Sequence, residues 1–104
     1  FSSWSKSFNK HFSQLIDISE EYDKNTEFLL IAVKEKKPLI KKYITSRGIP
    51  FQVAMDKFGK TFKKFHGKSI PFLVVIDKEG VVTYTNDYLQ DGFENDLIEK
   101  LQLN

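Results

Sequence analysis

Apolar residues recur at three- and four-residue spacing from Ser7 to Tyr22. Phe8, Phe12, Leu15, Ile16 and Tyr22 fall mainly on one helical face, with Lys10, Gln14, Glu20 and Glu21 largely elsewhere. After Asn25 the pattern changes to an unbroken apolar run, Phe28 to Val33, which suits a strand covered on both faces in a parallel sheet. Pro38 near a first turn and Gly48 beyond an end bracket a second helix, with Leu39, Ile40, Tyr43 and Ile44 as its apolar stripe. Pro50 leads into a second strand, Phe51 to Met55. Phe58, Phe62 and Phe65 are spaced by four and three and predict a short helix before Gly67, capped by Asp56, with its rings in the core. Pro71 to Ile76 is another buried strand. Asp77-Lys78-Glu79-Gly80 predicts a hairpin turn in which Gly80 takes positive φ, and Val81 to Thr85 returns as a half-exposed antiparallel partner. Phe93, Leu97, Ile98 and Leu101 share one face of a final helix.

Helix, strand, helix, strand, helix, strand, strand, helix is the resulting order. Alternation in the first half requires crossover connections and a parallel sheet, and the late hairpin adds an antiparallel edge. Residues 1–104 have the length of one domain. A composition of 40% hydrophobic and 29% charged residues, with ten Phe, excludes a disordered chain. The net charge of +2 is too balanced to point to a polyanionic partner, so no nucleic acid is expected. The basic stretches Lys34 to Lys42, interrupted by Glu35, and Lys57 to Lys68 read as solvated faces. Without cysteine there is no disulfide, no thiolate metal site and no redox couple. His11 and His66 are too few to build a zinc site without several carboxylates. No metal or cofactor is therefore expected. No apolar run approaches the ~18 residues of a spanning helix.

The opening Phe1-Ser2-Ser3-Trp4-Ser5-Lys6-Ser7-Phe8 resembles the active-site segment of the thioredoxin superfamily, in which an aromatic strand end runs into Trp-Cys-x-x-Cys at a helix start. Trp4 matches the motif Trp, Ser5 the first Cys and Phe8 the second. Ser69-Ile70-Pro71-Phe72-Leu73-Val74-Val75-Ile76, with the turn ending at Gly80, resembles the family segment that a cis-proline opens. The additional helix and strand between Lys37 and Asp56 resemble the TlpA-like branch of exported thiol–disulfide oxidoreductases. The resemblance implies an α/β thioredoxin-like three-layer sandwich, with a mixed sheet and a C-terminal antiparallel hairpin. It further implies an extracytoplasmic setting, periplasmic or cell-envelope.

In that family the strand ending just before the motif lies mid-sheet, and here it is missing before Phe1. The Phe28 and Pro71 strands would then face each other across a gap about one strand spacing wide on each side. Unpaired backbone groups inside a sheet are too costly to leave. The expectation is that residues precede Phe1 in a longer chain, or that another segment fills the slot. Membrane association is expected only through such an N-terminal segment.

Family chemistry needs a thiolate that attacks a disulfide and a second thiol that resolves the mixed intermediate. Ser5 has the position but not the atom, since an alkoxide is inaccessible near neutral pH without a base beside it, and Phe8 is inert. Two readings of Ser5 follow: a helix N-cap, or a donor to a bound thiol, as in glutathione-transferase-like relatives. The family places the loop before Pro71 against the motif, so Trp4, Ser5, Phe8, Ile70 and Pro71 are expected to form a peptide-binding groove. The leading expectation is a redox-inactive module that binds a protein or peptide segment, or serves as a scaffold beside other domains of the same chain. The rivals are a thiol- or glutathione-binding enzyme using Ser5, and a structural domain in which Trp4 and Pro71 are covered.

Overall fold

The structure, a computed structural model, describes residues 1–22 and 24–103. Its elements run α1 (Lys6–Glu21), β1 (Leu29–Val33), α2 (Lys37–Arg47), β2 (Gln52–Asp56), α3 (Lys60–Lys64), β3 (Leu73–Ile76), β4 (Val82–Asn86) and α4 (Phe93–Leu103). This is the predicted order.

Local chemistry sets the boundaries. The Ser5 hydroxyl caps α1, accepting from the Phe8 N–H at 3.2 Å. Pro38 lies in the first turn of α2, and Gly48 ends it in the left-handed region at φ 62°. Both carboxylate oxygens of Asp56 cap α3, accepting from the N–H groups of Thr61 (3.2 Å) and Phe62 (2.9 Å). Asp77 Oδ1 accepts from the Glu79 and Val81 N–H groups, each at 2.9 Å, and closes the β3–β4 turn.

β1 pairs with β2 in parallel, Leu29 opposite Gln52 through Val33 opposite Asp56. β3 pairs with β4 antiparallel, with an irregularity between Val75 and Ile76. Among the described residues no ladder joins the two pairs, so the mixed sheet is divided in two. Between the pairs lies a cavity of about 680 Å³. The core is built from α1 and α4 packed over the strands. Phe8 and Phe12 are buried in α1 against Ala32, Val75, Phe93 and Leu97, and the Phe8 ring lies 4.8 Å from Phe1 and 5.5 Å from Phe12.

Some expectations change in detail. Phe58 is 70% exposed rather than core, because the helix begins only at Lys60, after Gly59 at φ 72°, and leaves Phe58 in the preceding turn. Leu39 is likewise exposed, and only Ile40 of the α2 stripe is fully buried. Pro71 and Phe72 precede β3 rather than opening it.

These burials give a stability contrast. Phe8→Ala is expected to lower unfolding free energy by about 3–5 kcal/mol, and Phe58→Ala to stay within ~0.5 kcal/mol. Urea denaturation of both variants measures the difference.

Candidate functional site

The site forms at the end of the strands where β1 and β2 finish. Val33 N–H donates to the Phe1 carbonyl (3.0 Å), so the chain emerges beside the last residue of β1 and turns into α1. The turn is tied at several points. Ser5 N–H donates to Ser2 O (3.1 Å). The buried Glu35 carboxylate accepts from both the N–H and the hydroxyl of Ser3, each at 2.5 Å. Asn9 Nδ2 donates to the carbonyls of Ser3 (3.0 Å) and Ser5 (2.9 Å). Tyr43, from α2, donates its hydroxyl to Asn9 Oδ1 at 2.5 Å. Burial raises the Tyr43 phenol above its ordinary value, with Arg47 opposing. The phenol is thus held further into its neutral, donating form.

Trp4 stands between these two pinned residues with its own side chain 70% exposed. Its neighbours are fixed, and the indole is left to solvent. That is a preorganised apolar handle.

Two hydrogen bonds bring the Pro71 loop to the same end. Ser7 Oγ donates to Leu89 O at 3.4 Å, and the Ser69 hydroxyl donates to Asp87 O. The Ile70–Pro71 peptide bond is cis. Trp4 and Pro71 therefore share one end of the molecule. Tyr88, flanked by Asp87 and Leu89 of these bonds, is 69% exposed, and Phe58 follows β2 at the same end.

The expected groove is corrected in composition. Phe8 is only 1% exposed and sits in the core, because its place one turn into α1 points it at Phe1 and Phe12. Ser5 is 4% exposed and occupied as the cap. Pro71 is buried and Ile70 half-buried. Trp4 and Ile70 are thus the members of the expected set that reach the surface, with Tyr88 added. His66 is exposed in a left-handed turn at φ 61°. Among the described residues no group of His, Asp and Glu could hold a metal ion.

The thioredoxin-like family profile matches residues 1–82. This chain belongs to the thioredoxin-like family. No curated protein matches its sequence. Three solved structures share the fold at low identity. A protein assigned as a thioredoxin from Neisseria meningitidis is 19% identical with a TM-score of 0.84, over 100% of this chain and 71% of that one. A protein assigned as the thiol:disulfide interchange protein DsbE from Chlorobium tepidum is 20% identical with a TM-score of 0.85, over 99% and 73%. StoA from Bacillus subtilis is 13% identical with a TM-score of 0.79, over 98% and 77%. The chain is thus a thioredoxin-like domain, related in fold to thiol–disulfide oxidoreductases, that carries no cysteine.

Sequence reasoning missed Glu35, Asn9, Tyr43 and Tyr88. Only Glu35 left a signal, as the single acid interrupting the Lys34 to Lys42 run. The network predicts a graded response. Ser5→Ala should cost about 1 kcal/mol, the usual value of a lost cap. Glu35→Ala should cost about 1–3 kcal/mol, because it leaves the Ser3 N–H and hydroxyl without their acceptor. Chemical denaturation checks both, and equal stability of Glu35→Ala and the parent would contradict the network.

Proposed function

We propose that this thioredoxin-like domain is redox-inactive and recognises an extended protein or peptide segment at the end of the sheet carrying Trp4, Ile70 and Tyr88. The observation that carries the reading is the contrast at the motif itself. The two positions where cysteines would act are buried and structural, whereas the adjacent Trp4 is exposed on a pinned turn. Fixing the backbone on both sides of an exposed Trp lowers the ordering cost of binding, and Trp is over-represented among residues that dominate interface energies. Recognition would combine contacts to Trp4 and Ile70 with main-chain hydrogen bonds beside Pro71.

The rival reading, a thiol- or glutathione-binding enzyme centred on Ser5, draws less support. A ligand would have to reach a hydroxyl that is 4% exposed and already bonded to the Phe8 N–H. A scaffold role with Trp4 covered by another domain would likewise use the same surface, with the partner supplied in the same polypeptide.

Panning a displayed library of unstructured peptides against the parent chain and Trp4→Ala in parallel tests the proposal. Peptides selected on the parent should lose at least about tenfold in affinity on Trp4→Ala. Binders indifferent to Trp4 and to substitution of Ile70 and Tyr88 would sink it. Insulin reduction with dithiothreitol should proceed at the uncatalysed rate. Stabilisation by millimolar glutathione that disappears in Ser5→Ala would instead favour the enzyme.

A further inference from the structure

The net charge of +2 conceals a division along the chain. Residues 34–68 hold eleven of the sixteen Lys and Arg residues but only two of the fourteen acids, Glu35 and Asp56. Both acids are buried and engaged, Glu35 with Ser3 and Asp56 as the cap of α3. All eleven basic residues are exposed, and among the described residues none of them is ion-paired. The charge that this segment shows to solvent is therefore of one sign. The remainder of the chain is acidic, with twelve acids against five basic residues.

Part of the positive charge is gathered at the end of the sheet that carries Trp4. Val33 pairs with Asp56 at the last rung of the parallel ladder, so Lys34 and Lys57 leave adjacent strands side by side, about one strand spacing apart. Lys34 is held there. Its N–H donates to Asp56 O at 2.9 Å, and its side chain lies across Gly59, where a Cβ would come 2.7 Å from Lys34 Cε. Lys34 and Lys36 flank Glu35, which grips Ser3 beside Trp4. Lys57 Nζ lies 5.4 Å from the centre of the exposed Phe58 ring, and Lys60 opens α3 in the next turn. α2 starts with Lys36 at its N-cap, then Lys37, and has no acid in its first turn, against the preference of a helix start for negative charge. α4 keeps that preference, with Glu94 and Asp96 in its first turn. A local rule kept in one helix and broken in another points to a competing demand on the second.

We infer that the segment recognised beside Trp4 is acidic, with carboxylates meeting Lys34, Lys36, Lys57 and Lys60 and an apolar side chain seated between Trp4 and Phe58. This rests on the recognition reading and adds the partner's charge to it. Charge complementarity selects the occupant. An extended peptide also suits this end better than an anionic bilayer, because the Tyr88 side of the same end carries Asp87 and the exposed Asp91. A bilayer would press on those carboxylates, whereas a peptide running from Ile70 past Trp4 to Phe58 moves away from them.

The probe is a synthetic peptide with blocked ends, Gly-Asp-Glu-Leu-Phe-Glu-Asp-Gly, compared with a counterpart in which every Asp is Asn and every Glu is Gln. The acidic peptide should bind the parent chain at least about tenfold more tightly at low salt. Raising salt from about 0.05 to 0.5 M should remove most of that difference. Lys57→Glu, and separately Lys36→Glu, should weaken the acidic peptide by about tenfold. Lys78→Glu, an equal change of net charge in the β3–β4 turn at the far end, should weaken it by less than about twofold. Equal binding of the two peptides, or equal losses in Lys57→Glu and Lys78→Glu, overturns the inference, and the recognition reading stands alone if binding still depends on Trp4. Charge-selective binding indifferent to Trp4→Ala refutes the recognition reading and the seat beside Trp4 with it. No binding of the acidic peptide at millimolar concentration, or a neutral or basic consensus among peptides panned on the parent, also overturns the inference. Tighter association with phosphatidylserine vesicles or a single-stranded oligonucleotide, lost in Trp4→Ala and Phe58→Ala, reassigns this end to that polyanion.

Discussion

Main-chain hydrogen bonding along the edge of β1 is the constraint on which the candidate site depends. Each pair of strands satisfies one edge internally, β1 against β2 and β3 against β4. The other two edges look into a space of about 680 Å³ walled largely by apolar side chains. Among the described residues no ladder bridges it.

The same edge positions the candidate site. Phe1 is held in register with Ala32 by its bonds to Ile31 and Val33, and the turn from Ser2 to Ser5 begins from that fixed point. Glu35 follows β1 directly, so the strand that fixes Phe1 also delivers the carboxylate that grips Ser3. Tyr43 reaches the turn from α2 through Asn9. What the strand ladder fixes at Phe1, three side chains carry forward to Trp4. In thiol–disulfide chemistry a turn of this kind would present a thiolate at a helix start, where the unpaired N–H groups lower its pKa. Here the hydroxyl of Ser5 takes one of those N–H groups for itself. The helix start is thereby consumed by structure, and the exposed chemistry of the turn is reduced to an indole.

Most of this architecture was legible in the chain, for reasons that differ by element. The runs at 28–33 and 71–76 announced strands because covered strands need apolar residues at every position, although Leu29 and Ile76 are about half exposed rather than covered. Gly48 and Pro38 marked α2 through backbone geometry alone, and Asp56 as the cap of α3 followed from its place before a helical stripe. Phe58 failed because its four-residue spacing to Phe62 mimics a helical turn, while Gly59 breaks the backbone between them. Phe8 failed for a different reason. Motif alignment gives a position along the chain, but the direction of a side chain on α1 is set by helical phase, and that phase turns Phe8 toward Phe1 and Phe12. The Glu35–Ser3 and Tyr43–Asn9 bonds join residues more than thirty apart in sequence, and no local pattern encodes such pairs.

Phe8 also explains how a family motif can lose its chemistry without losing its frame. A cysteine at that position buries a small polarizable side chain and keeps a thiol near the helix start. Phenylalanine fills the space between Phe1 and Phe12, and its burial is worth about 3 kcal/mol or less by transfer, with aromatic contacts at 4.8 and 5.5 Å added. The gain goes to the junction between Phe1 and α1. A thiol at position 8 would therefore remove that packing, and Ser5, fixed as a cap, offers no partner for a disulfide. Stability and thiol exchange compete for the same two positions, and in this chain they are held by stability.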